Sequence, residues 1–387
     1  MFRFITLFLS LLISFTPIVI SQNLKIDFKQ VLEITDSEKS FLIGALDGIA
    51  TDKNNNIYLF DNIQNSVIKL SSNGEYIDQI IRNGRGPSEI NSIYSYFLDI
   101  KKEYIYVADR QNFRFMITDL QGKEISNFPI RPNDFNTPMR MFKYDEDTML
   151  FLFSNSQEQS MRLLDGIDSL MHFYDINSME RKFSLGDRKT LMDRVNYNPK
   201  SAGLLTKTHV GEVVFPNRNT LLYSPFIYNK SLLIYKKTNN KWTFSGQVNG
   251  NNWDLKPFEE IDIEDYRQNR VKYRGTGKNE SSSSGPDGKV AGYINLRSVG
   301  LFENSDGKIL NYVVVENPRN KSFYHELYVE VYSQDLKFLD SQMIFSGKDD
   351  ELIRKVYWKD ESDNFYLATQ PSRYSGKVIK FKLDINR

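Results

Sequence analysis

Residues 49–77 read IATDKNNNIYLFDNIQNSVIKLSSNGEYI, and residues 97–125 read FLDIKKEYIYVADRQNFRFMITDLQGKEI. The two superpose without a gap at an offset of 48 residues. Ile57 falls on Ile105, Tyr58 on Tyr106, Asp61 on Asp109, Gly74 on Gly122 and Ile77 on Ile125. Each unit alternates short apolar runs with turn residues: DKNNN, IYLFD, NIQN, SVIKLS, SNG, EYIDQII. Runs of this length separated by Asn, Asp and Gly are strands joined by tight turns, with Gly74 free to take a positive φ. IYLFD is apolar at successive positions, so both faces of its sheet need cover. A period of this size, built from strands greasy on both faces, predicts the blade of a β-propeller.

Working outward, looser units start near Met141 (TMLFLFS, then SLMHFYDINSMERKFSL), Glu212 (NTLLYSP, SLLIYKK, KWTFSGQV), Leu296 and Arg354. That makes six blades, with a seventh allowed by the long segments around 155–170, 185–210 and 250–295. The expectation is an all-β propeller of four-stranded antiparallel blades around a central channel. LKIDFKQVLEI, ahead of the first unit, is expected to complete the last blade and close the ring. RGTGKNESSSSGPDGK, residues 274–289, lacks apolar residues and reads as a mobile surface insertion. EEIDIEDYRQNRVKY, just before it, has helical spacing.

The N-terminus, MFRFITLFLSLLISFTPIVISQ, has one positive charge at Arg3, an apolar run from Phe4 to Ile20, and small residues before Gln22. This is the layout of a secretory signal peptide covering 1–21. The domain proper is then 22–387, exported to the periplasm, envelope or medium. Cysteine is absent, which excludes disulfides, thiolate metal sites, thiol nucleophiles and lipoprotein anchoring. No later run is apolar and long enough to span a bilayer. Without Arg3, 49 basic residues face 49 acidic ones. That balance argues against a nucleic-acid binder and against docking on anionic lipid.

GRGPSEI, residues 84–90, is the most distinctive peptide. Gly84 and Gly86 allow positive φ, Pro87 stiffens the turn, and Glu89 has backbone amides within reach. A phosphate cradle would need a third glycine or a following Lys-Ser/Thr, so an inter-blade turn is the better reading. These blade units followed by GRGPSEI resemble a six-bladed β-propeller family of secreted and envelope proteins of Bacteroidetes, itself similar to NHL-repeat propellers. The hallmark there is a G-x-GPGE-like element. Gly86, Pro87 and Glu89 match it, and Ser88 stands where glycine is common. The resemblance implies the fold and an envelope location, with no catalytic residue.

Candidate ligand contacts are Asp61 and Asp109, each just after a strand, with Arg110 beside the second, and Trp253 in a polar context. The two carboxylates suit a cation or a sugar hydroxyl, or else an Asx turn. Calcium is the one cofactor the carboxylates leave open. His172, His209 and His325 have no metal-ligand spacing, and no G-x-S-x-G elbow is present. The functional expectation is a binding or scaffolding module for a glycan, peptide or envelope protein. A cation-dependent hydrolase or lactonase-like enzyme with its site in the channel is the alternative.

Overall fold

The computed structural model describes residues 24–36, 41–130, 138–153, 169–187, 211–262, 264, 268, 280–285, 288–317, 324–347, 351–372 and 375–386. The expected signal peptide lies outside them.

Strand β1 (Lys25–Ile34) precedes the first unit. Blade 1 holds β2 (Leu46–Thr51), β3 (Ile57–Asp61), β4 (Ser66–Leu70) and β5 (Tyr76–Asn83), with the short β6 (Glu89–Ile90) parallel to β5. Blade 2 holds β7 (Ile93–Asp99), β8 (Tyr104–Asp109), β9 (Arg114–Asp119) and β10 (Glu124–Pro129). Blade 3 holds β11 (Arg140–Lys143), β12 (Thr148–Leu152), β13 (Ser169–Asp175) and β14 (Arg181–Asp187). Blade 4 holds β15 (Glu212–Asn217), β16 (Thr220–Ser224), β17 (Ser231–Thr238) and β18 (Lys241–Asn249). A three-stranded sheet follows, from β19 (Phe258–Ile261), β20 (Glu280–Gly285) and β21 (Gly288–Ile294). Blade 5 holds β22 (Leu296–Glu303), β23 (Ile309–Asn317), β24 (Tyr324–Tyr332) and β25 (Phe338–Ser346). Blade 6 holds β26 (Leu352–Lys359), β27 (Phe365–Ser372) and β28 (Ser375–Asn386).

The fourth strand of blade 6 is β1, antiparallel to β28 from Lys25↔Asn386 to Ile34↔Val378. The first strand thus closes the ring onto the last. There are six blades; the seventh sheet is an excursion between blades 4 and 5, not a blade. It takes up part of the stretch read as a surface insertion, because Glu280–Gly285 pairs with Gly288–Tyr293. The segment with helical spacing opens as strand β19, and Glu264 and Gln268 within it are helical.

The 48-residue offset holds down to the backbone conformation. Asn55 and Glu103 both have positive φ (61° and 56°), as do Asn65 and Phe113 (48° and 49°) and Gly74 and Gly122 (84° and 82°). Every residue of β3 and of β12 is buried. The reason is radial packing, with a cluster of apolar side chains at each junction between neighbouring blades. Tyr312, Val314, Leu327 and Val329 meet Leu367, Ile379 and Phe381 between blades 5 and 6. Ile57, Leu59 and Ile68 meet Tyr366, Ala368 and Val378 between blades 6 and 1. A stacked sandwich would have one such layer, whereas here each blade is sandwiched on both sides.

The innermost strands are β2, β7, β11, β15, β22 and β26; β2 packs beside β7 and β26, and β22 beside β15 and β26. Because strands alternate in direction within a blade, first-to-second and third-to-fourth turns emerge at one rim. Second-to-third turns and inter-blade connections emerge at the other. The first rim is uniform. In every blade the turn after the innermost strand is closed by an Asp or Asn side chain accepting from backbone N–H groups two to four residues on. The six acceptors are Asp52, Asp99, Asp145, Asn217, Asn304 and Asp360. These are Asx turns. The second rim receives the long connections.

Candidate functional site

The ring encloses an axial cavity of about 580 Å³ that opens toward the second rim. All six innermost strands reach it near their first residues: Asp47 from β2, Ser95 and Tyr96 from β7, Arg140 from β11, Glu212 from β15, Arg297 and Ser298 from β22, and Arg354, Lys355 and Tyr357 from β26. Side chains such as Asn62, Arg110 and Phe226, from the turns between second and third strands, complete the mouth. A volume in the range of roughly 300–1,000 Å³ suits a small ligand or the end of a larger one.

The wall is charged unevenly. Arg110, Arg140, Arg297, Arg354 and Lys355 face two carboxylates, Asp47 and Glu212. Glu212 is buried between two cations, with Arg140 Nη2 at 3.0 Å and Lys355 Nζ in direct contact. Arg297 lies 3.7 Å from Glu316. Arg354 donates from Nε (2.7 Å) and Nη2 to the Gln370 side-chain oxygen, a neutral partner. Arg110 lies 4.9 Å from the centre of the Tyr94 ring. Among the described residues, no carboxylate pairs with Arg110 or Arg354.

The field of this cluster is felt by its titratable members. Burial pulls Lys355 down to about 7, Arg140 adds to the shift, and Glu212 opposes it. Burial pushes Asp47 up to about 6 against the pull of Arg354. His325, behind the wall, is lowered to about 3 by burial, with Arg297 and Arg354 adding to it. The imidazole is therefore neutral, and its 3.9 Å approach to Glu316 is not an ion pair at neutral pH.

Two aromatic hydroxyls at the wall are engaged with backbone. Tyr357 donates to Leu46 O at 2.7 Å, and Tyr96 accepts from Ile49 N at 3.0 Å. Three polar atoms there have no hydrogen-bond partner although buried: Ser95 Oγ, Arg140 Nε and Arg297 Nε. Buried polar atoms are nearly always bonded, so an orphan that lines a cavity is a vacant anchoring point.

Of the sequence candidates, only Arg110 lines this cavity. Asp61 is fully buried, and its carboxylate accepts from the backbone amides of Gly44 (2.6 Å), Ile63 and Gln64 (both 2.9 Å). Burial still raises its pKa. Asp109 is fully buried too; it accepts from Ser92 N at 3.1 Å and Asn112 Nδ2 at 2.6 Å, and Arg114 Nε lies 3.4 Å away. Each carboxylate fastens the turn after its strand to the connection that enters its blade. Trp253 packs edge-on against Tyr228 and Tyr328, with ring centres 6.3 and 5.8 Å away, outside the cavity.

Gly84 to Ile90 forms the connection from blade 1 to blade 2. Glu89 accepts from Gly86 N at 2.7 Å, and Gly84 N donates to Ile90 O at 3.0 Å. Pro87 and Ser88 sit at the apex, Ser88 with φ 60°. A Cβ on Gly84 would lie 2.1 Å from the Glu89 carboxylate, so that glycine is what lets Glu89 fold back. Arg114 donates to Gly86 O at 3.0 Å and also to Glu89 O, pinning the loop from blade 2.

Sequence reading missed Arg140, Glu212, Arg297, Arg354 and Lys355. A usable signal was present: these charges interrupt otherwise apolar inner strands at their first positions, as in RMFK, EVVF, LRSV and LIRK. Among the described residues, no group of three or more His, Asp or Glu is placed to hold a metal ion. No described helix is long and apolar enough to cross a membrane.

Comparison with known proteins supports the architecture. A solved structure from Bacteroides vulgatus, described as a member of the duf4221 family, aligns with TM-score 0.51 at 13% identity, covering 94% of this chain and 99% of the other. A Bacteroides fragilis protein described as exported aligns with TM-score 0.53 at 10% identity, covering 95% and 98%. At such identities the likeness concerns the fold alone. No curated protein matches the sequence. Residues 22–184 match the family DUF5128, described as a 6-bladed beta-propeller, and the fold of the described residues is likewise a six-bladed β-propeller.

Proposed function

We propose that this chain is an exported binding module whose ligand enters the axial cavity from the rim of long connections. The carrying observation is that the innermost strand of every blade contributes to one cavity of about 580 Å³. Inner strands hold the wall, and the turns carrying Asn62, Arg110 and Phe226 surround the mouth, the usual division between scaffold and recognition surface. The apolar N-terminal leader supports export. The orphan hydroxyl of Ser95 and the aromatic surface of Tyr357 suit a glycan unit or a peptide end. A cation-dependent hydrolase in the same cavity is the competing reading. The five-to-two excess of positive groups over carboxylates works against it, because calcium takes six to eight oxygen ligands and is repelled by this field.

The test is a thermal-shift and calorimetric screen of oligosaccharides and short peptides on the wild type and on Asn62→Trp, which narrows the mouth. Ligands of the wild type should be lost or weakened at least about tenfold in the variant, or about 1.4 kcal/mol. Ligands that bind both equally would place recognition elsewhere, and measurable turnover without stable binding would favour the enzyme.

A further inference from the structure

The chain as a whole is nearly neutral, yet its cavity is not. Resting on the cavity reading above, we infer that the ligand carries a carboxylate, and that Arg354 is its principal anchor.

Arg354 is exposed and has only a neutral partner, so its guanidinium keeps donors and its full charge for an incoming anion. Arginine presents donors in a planar fork that matches a carboxylate two-to-two. Behind it, Arg297, Arg140 and Lys355 add positive potential while being held in place by Glu316 and Glu212. The two arginines are fixed charges, prearranged rather than gathered on binding, and Lys355 joins them when protonated. Arg110 stacks on Tyr94 at the mouth, where it can meet the same anion on its way in. The planar fork of Arg354 matches the two coplanar oxygens of a carboxylate, and Asp47 lowers the gain a second negative charge would bring. Its carboxylate lies within electrostatic reach of Arg354, Arg140 and Lys355, and it repels a dianion such as a phosphate monoester more than a carboxylate. The buried, unpartnered Ser95 hydroxyl and the exposed Asn62 offer hydrogen bonds to the rest of the ligand, and Tyr357 at the wall offers aromatic surface. An acid group on a hydroxylated or ring-shaped body fits this set; a uronic acid is the simplest example.

The experiment is calorimetry on the full chain with paired probes: D-glucuronate against D-glucose, D-galacturonate against D-galactose, and benzoate against benzyl alcohol, with D-glucose 6-phosphate as the dianion. At least one carboxylate should bind at least about tenfold more tightly than its neutral partner, a difference of about 1.4 kcal/mol. Arg354→Met should abolish that preference, and Arg354→Lys should restore part of it by returning the charge without the fork. Neutral probes binding as well as their acids would overturn the carboxylate while leaving the cavity reading intact. Tighter binding of the phosphate, or a preference that survives in Arg354→Met, would also overturn it, as would the absence of binding by every acid. A circular-dichroism melt of both variants separates lost recognition from lost folding.

Discussion

The two rims of this propeller are built from the same strands but by different rules. At one rim, six Asx turns repeat a single hydrogen-bonding device, once per blade. Blades 1 and 6 share it atom for atom. Asp52 accepts from Asn54, Asn56 and Tyr58, and Asp360 accepts from Ser362, Asn364 and Tyr366. At the other rim the repetition is confined to Asp61 and Asp109 of blades 1 and 2, while the connections differ in length and the cavity wall gathers like charges that repel one another. The first rim ties the side-chain acceptor of each Asx turn to backbone donors. The second leaves Ser95 Oγ and Arg140 Nε orphaned and crowds cations around two carboxylates. A crowd of like charges on rigid inner strands is a local rule broken, and such places mark functional regions.

The contrast can be broken most forcefully in the blades that support both rims. Phe365 is 1% exposed between blades 5 and 6, and Phe365→Ala should cost about 3–5 kcal/mol in urea unfolding. A loss below about 1 kcal/mol would mean that the junction is not a packed core. At the uniform rim, Asp360→Ala strands the Asn364 and Tyr366 donors and should cost about 2 kcal/mol while leaving ligand affinity unchanged. At the cavity rim, Arg354→Met should do the reverse. Its melting should stay within about 0.5 kcal/mol of wild type, or improve, since Arg297 is a repelling neighbour.

The pH dependence is smaller and has a definite sign. Lys355 sits at about 7, below its ordinary 10.5, so between those values the unfolded chain keeps a proton that the folded chain has released. Stability from this group therefore rises with pH across that window. Asp47 sits at about 6, above its ordinary 3.8, so the folded chain keeps the proton longer, and stability from this group falls as pH rises from 3.8 to about 6. Lys355→Met and Asp47→Asn should each flatten their own segment of the stability-against-pH curve. For an anion the two titrations act together. Protonating both adds two positive charges to a wall that also carries Arg110, Arg140, Arg297, Arg354 and Glu212, while Tyr96 stays neutral. Carboxylate affinity should thus rise about three- to tenfold from about pH 8 to about pH 5. A flat or opposite profile by calorimetry would remove the electrostatic basis of recognition.

Much of the architecture was legible because blades repeat and repeats leave periods. The 48-residue offset, the strand of unbroken apolarity and the starts near Met141, Glu212, Leu296 and Arg354 all lie within a few residues of the observed inner strands. The kinship of DKNNNIY and DESDNFY, residues 52–58 and 360–366, passed unnoticed because the two are separated by nearly the whole ring. The cavity was hardly legible. Its members come singly from six strands, and only closure of β1 onto β28 brings Asp47 and Arg354 into one field. Overall neutrality concealed the local excess. Asp61 and Asp109 were conspicuous because they repeat, and repetition in this fold tracks turn chemistry, as their backbone partners demonstrate.

The most direct measurement is a crystal soaked with 4-bromobenzoate, a carboxylate whose bromine scatters anomalously. Anomalous density inside the axial cavity, with the carboxylate on Arg354, is the predicted result. Density confined to the rim of Asx turns or to the outer faces of the blades, with the cavity holding none, would contradict an anion site on the axis of the ring.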